Sequence, residues 1–169
     1  NILPAHDTVV FDEAHHLYMN AVKSFTAEIG RYSLQKLLQK IQKRVNRVPD
    51  YIVSSILNVE AKLMEWVFSF GKTTFRVTLE NNQKLKEISL QTLEELKELK
   101  KWLEFVPVNT EMFPDDMEQI KANTHKQNLL KQLANVKKRW DLFAVDTYYE
   151  ERVYWVECNT QKGYFALKS

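Results

Sequence analysis

The chain has 169 residues, 44% hydrophobic and 12% aromatic, which is enough to bury a core and too apolar for a disordered segment. Its net charge of +2 is nearly neutral and by itself argues neither for nor against a polyanionic partner. Three glycines and four prolines are too few for an all-β fold, and one cysteine excludes an internal disulfide or multi-cysteine metal centre. The single cysteine, Cys158, fits a reducing, cytoplasmic setting, and with no apolar run near the ~18 residues of a membrane span and no signal peptide visible, no membrane partner is expected.

Residues 8–11, Thr-Val-Val-Phe, are a short β-branched and aromatic run that reads as a buried strand delivering Asp12 and Glu13 at its end. Over residues 32–45 the apolar positions Leu34, Leu37, Leu38, Ile41 and Val45 predict one face of a helix. Pro49-Asp50 stops it and starts the next, with Asp50 as N-cap. Ile52, Ile56, Val59, Leu63, Trp66, Val67 and Phe70 form the second stripe, and Gly71 sits at a C-terminal cap position.

Residues 73–79 alternate apolar and polar and predict a small β insert, followed by a turn over 80–83. A third helix is expected over 89–105, with Leu96, Leu99, Leu103 and Val106 inward and Pro107 ending it. After a loop over 107–116, Asp115 or Asp116 caps a fourth helix reaching about residue 145, with Leu129, Leu130, Leu133, Val136, Trp140 and Phe143 as its stripe. Strands at 153–158 and 164–167, joined by residues 159–163, predict a closing hairpin. The pattern implies a mainly α, α+β chain: about four helices between β edges that have no sheet of their own to join.

The stretch Val9-Val10-Phe11-Asp12-Glu13-Ala14-His15-His16-Leu17 carries the chemistry. A carboxylate pair at the tip of a hydrophobic strand is half of a nucleotide-hydrolysis site. Asp12 would hold Mg²⁺ through water, and Glu13 would orient and deprotonate the water attacking the γ-phosphate of ATP. The alternative is that acids simply favour a helix N-terminus. A zinc site is not indicated, because His6, His15 and His16 match neither His-Glu-x-x-His nor His-x-x-Glu-His.

This stretch resembles motif II of superfamily 2 helicases, and the form DEAHHL with Ile2-Leu3-Pro4 upstream is most similar to the DinG branch of the XPD-like family. The resemblance implies that residues 1–17 end a RecA-like α/β domain, that 18–150 form an arch-like helical insertion, and that 151–169 return to that domain. In the family the return strand is often Tyr-Trp-x-Glu, which Tyr154-Trp155-Val156-Glu157 matches. It also implies that His15 couples the nucleotide site to the nucleic-acid side and that the arch guides single-stranded DNA. Any iron–sulfur ligands would lie upstream of motif II, and some relatives carry an exonuclease domain. The motif-specific match is confined to residues 9–17 and 153–157. The chain opens on this segment at Asn1 without a methionine and contains no G-x-x-x-x-G-K-[ST], so it is expected to be a piece of a longer enzyme and inactive alone.

Lys36, Lys40, Lys43, Arg44 and Arg47 fall on one helix face with no acid from Arg31 to Val48. They would track a nucleic-acid backbone, or form an ordinary solvated face. A second acid-free stretch holds Lys121, Lys126, Lys131, Lys137, Lys138 and Arg139, scattered around its helix and expected to be solvated. Trp66, Trp102, Trp140 and Trp155 are expected in the core, not stacked on bases. A helical interaction module without nucleotide chemistry, and the substrate-gripping part of a nuclease, are the rival readings.

Overall fold

Leucine and isoleucine recurring at helical spacing need a common surface to bury against, and among the described residues four helices stacked beside one small sheet supply it. The computed structural model describes residues 20, 26–45, 47–78, 80–107, 116–144 and 153–169. In chain order the elements are β1 (Glu28–Gly30), α1 (Ser33–Arg44), α2 (Asp50–Ser69), β2 (Thr74–Arg76), α3 (Asn82–Phe105), α4 (Asp116–Asp141), β3 (Trp155–Asn159) and β4 (Tyr164–Lys168). The anticipated strand at residues 8–11 lies outside the described residues.

The apolar stripes became the core. Leu34, Leu37, Leu38 and Ile41 of α1 are buried, as are Ile52, Ile56, Val59, Leu63, Trp66 and Val67 of α2. Leu96, Leu99 and Leu103 of α3 and Leu129, Leu133 and Trp140 of α4 complete it. Trp66 and Trp140 are thus core residues, whereas Trp102 and Trp155 are only partly buried. Two buried hydroxyls in α3 satisfy themselves locally: Ser89 Oγ donates to the Leu85 carbonyl and Thr92 Oγ1 to that of Ile88, each at 2.7 Å.

The ends of the elements depart from expectation in four places. Pro49, at φ −53° and ψ 138°, is the N-cap of α2 and makes no side-chain capping bond, and Asp50 is the first helical residue. An acid there still faces the positive end of the helix dipole. Helix α3 starts at Asn82, not near residue 89, because Leu85 and Ile88 extend its apolar stripe back through the polar stretch read as a turn. Helix α4 ends at Asp141, short of residue 145. The β insert shrinks to Thr74–Arg76, although Val77 N–H still donates to the Tyr154 carbonyl at 2.8 Å. Gly71, by contrast, takes the left-handed conformation foreseen for it, at φ +59°.

The hairpin overturns the idea of β edges without a sheet. The strands pair antiparallel in the order β1-β4-β3-β2, so β4 is closed by β1 and β3 by β2. One face of the sheet carries most of its buried side chains: Ile29, Phe75, Val156, Cys158, Phe165 and Leu167, with Ala166 buried on the other. Rings knit that face to the helices, with Phe68 against Phe165 at 6.3 Å and Phe143 against Tyr154 at 5.5 Å. Cys158 is a buried strand residue, its thiol donating to the Lys72 carbonyl and its pKa pushed up by burial.

Candidate nucleic-acid interface

Asp12, Glu13 and His15 lie outside the described residues, so the site that has geometry is the basic one. Helix α1 turns its apolar stripe inward and leaves Lys36, Lys40, Lys43 and Arg44 exposed. The helix ends at Arg44, so Arg47 is not on that face. It sits in the link to α2, where its guanidinium meets Asp50 at 3.0 Å in an exposed ion pair. Of the five cations expected to act together, the structure keeps four on α1 and sets Arg47 apart.

What sequence reading did not bring together is the partner of this face. Helices α1 and α4 pack antiparallel: Lys40 Nζ donates to Gln132 Oε1 at 3.3 Å, and Arg139 donates to the Glu28 carbonyl, ahead of α1, at 3.2 Å. At about 100° per residue, Lys121, Asn128, Gln132, Asn135 and Arg139 share roughly 60° of arc on α4. Gln132 and Arg139 show that this arc is the flank turned toward α1. No acid occurs from Arg31 to Val48 or from Ile120 to Trp140, so two acid-free segments meet along one seam. They carry six cations each, half of the chain's 24, and those that line the seam are Lys36, Lys40, Lys43 and Arg44 of α1 with Lys121 and Arg139 of α4.

Several other charges are paired within their own helices or cap a neighbouring one. Along α3, Lys97 meets Glu94 at 3.4 Å, Lys101 meets Glu98 at 2.6 Å and Lys100 meets Glu104 at 3.3 Å. On the far flank of α4, Lys137 pairs with Asp141 at 3.1 Å. Lys126 caps the end of α3, donating to the carbonyls of Glu104 and Val106 at 2.9 and 2.8 Å. The expected scatter of the α4 cations is therefore real for Lys126 and Lys137. It does not describe the α1-facing flank, where amides and Arg139 line up. The signal for that flank was the absence of acids, not the spacing of lysines.

Chemically, the seam offers ammonium, guanidinium and amide donors from two segments that contain no acid. Lys36, Lys40 and Arg44 follow one another at about 6 Å along the helix axis. Such a surface attracts phosphates by charge and can hydrogen-bond them through the amides. Among the described residues no group of three His, Cys, Asp or Glu could hold a metal ion, and no helix is long and apolar enough to cross a membrane. No protein-family model matches the chain, and no match to a curated protein was found.

Proposed function

We propose that this chain is part of an ATP-dependent DNA helicase of the DinG branch, comprising motif II and the arch-like insertion that follows it. One observation carries the reading: Val9-Val10-Phe11-Asp12-Glu13-Ala14-His15-His16-Leu17, a hydrophobic run ending in two carboxylates and two histidines. Asp12 is the residue type a hydrated Mg²⁺ requires, and Glu13 the type that activates a water. Bound Mg²⁺·ATP would supply the phosphoanhydride and the charge neutralisation. Residues 1–17 would close a RecA-like domain, and residues 151–169 would lead back to it by way of the four-stranded sheet.

The α1–α4 seam fits this reading as the part that grips a single strand. Lys36, Lys40, Lys43 and Arg44 would follow its backbone, with Arg47 contributing from the link. The test is made in the longer protein that contains this chain, with single-stranded DNA present. Glu13→Gln is expected to keep ATP binding while hydrolysis falls by about 100-fold or more. Hydrolysis at the parental rate would refute the reading. The chain alone is expected to hydrolyse no ATP, since nothing in its sequence cradles the phosphates.

A second reading, a helical interaction module without nucleotide chemistry, draws on the sheet, whose inner strands find both neighbours within the chain. It predicts protein capture that survives replacement of both Asp12 and Glu13, and no nucleotide-dependent step in the longer protein.

A further inference from the structure

Helix α1 begins without a cap of its own. Tyr32, at the N-cap position, makes no capping bond through its side chain, and the first turn holds no acid. The amide of the third helical residue, Gln35, is the one an N-cap side chain ordinarily satisfies. It donates instead across the helix interface to Glu60 Oε1 at 3.3 Å. Glu60 belongs to α2 and is 8% exposed, the one buried carboxylate among the described residues. Its other oxygen, Oε2, is buried and has no hydrogen-bond partner.

The surroundings explain why this arrangement responds to a proton. Glu60 lines a cavity of about 130 Å³ with Leu57, Ala61 and Met64 of α2, Gln35 of α1 and Arg31 before it. Arg31 is the charged group that acts on it, and the Arg31 guanidinium is itself tied to the Gly163 carbonyl in the β3–β4 turn. One oxygen therefore caps a helix, and the other is buried without a hydrogen-bond partner among the described residues.

We propose that Glu60 is the N-cap of α1, supplied in trans from α2, and that protonating it seats α1 more firmly on α2. Oε1 accepts the Gln35 amide in either state, while burial penalises a charge on the carboxylate only in the ionised one. Consistently, burial pushes the Glu60 carboxyl above its ordinary value of 4.5, against the opposing pull of the Gln35 and Leu34 amides and of Arg31. The folded state then binds this proton more tightly than the unfolded chain does. The contribution of Glu60 to stability falls as pH rises from 4.5 through its folded pKa, and it is recovered on acidification.

The experiment compares thermal melts of the chain and its E60Q and E60M variants from pH 7 to pH 4.5. E60Q, which keeps the acceptor and drops the charge, is expected to melt higher at pH 7 and to lose the part of the pH dependence that Glu60 contributes. E60M, which also removes the acceptor, is expected to speed hydrogen exchange at Leu34 and Gln35 by about fivefold, the loss of one cap. The Glu60 carboxyl carbon is titrated by NMR in the unaltered chain, where no variant has to fold, and a midpoint above 4.5 is expected. A midpoint at or below 4.5 would overturn the proposal, as would an E60Q melt no higher than the parent at pH 7. Unchanged exchange in E60M would remove the cap.

Discussion

At the scale of single residues, Glu157 is the counterpart of Glu60. It lies across β3 and β4 from Lys168 at 2.7 Å, and the Trp155 indole donates to its other oxygen at 3.1 Å. The Lys168 bond, followed by the indole, holds its carboxyl below the ordinary value of 4.5. The sign is therefore opposite to that of Glu60: the stabilisation is present above pH 4.5 and is lost as pH falls through the lower folded value. Because the carboxylate is 42% exposed, Glu157→Gln should cost under about 1 kcal/mol at pH 7, read from denaturant midpoints. Gly71 is a cleaner case. A Cβ there meets nothing within 4 Å, so only the φ of +59° opposes one, and Gly71→Ala should destabilise by about 1–2 kcal/mol without disturbing packing. That glycine was legible in the sequence because it follows directly on a helical stripe. The role of Glu60 was not, since nothing local marks an acid that caps another helix.

At the scale of elements, stripe spacing recovered the four helices described between residues 33 and 141, and their ends were where it failed. The start of α3 was hidden because Asn81, Asn82 and Gln83 are turn-forming types, while burial of Leu85 and Ile88 keeps that turn helical. Strand β1, three residues of Glu-Ile-Gly, has no period to read and exists because β4 offers it an edge. The difference between α1 and α3 is one of charge. Ion pairs at helical spacing neutralise α3, whereas α1 and the facing flank of α4 have no acids to pair with. Leu99, fully buried in α3, should lose about 2–5 kcal/mol on truncation to alanine, while exposed Leu90 on the same helix should stay within about 0.5 kcal/mol. Equal losses at the two positions would mean that the packed face has been misassigned.

At the scale of the whole molecule, the sheet explains how one chain joins a helical bundle to its own β layer. Strands from near residue 28 and residue 74 close on a hairpin at 155–168, so the strands that complete it come from distant parts of the chain. Sequence patterns show local alternation but not which strands meet, which is why the hairpin read as an edge in search of a sheet. The same limit hid the seam: its two acid-free stretches were each visible, and only the antiparallel packing of α1 on α4 makes them one surface. That surface is the account's central claim about partners, and salt tests it most directly. Binding of a single-stranded oligonucleotide is measured against salt concentration for the chain and for a variant with Lys36, Lys40 and Arg44 changed to glutamine. The account predicts weak binding whose log–log slope becomes shallower by about 2 in the variant, the release of roughly three phosphate contacts. Binding indifferent to salt, or a slope the three substitutions leave unchanged, would contradict it.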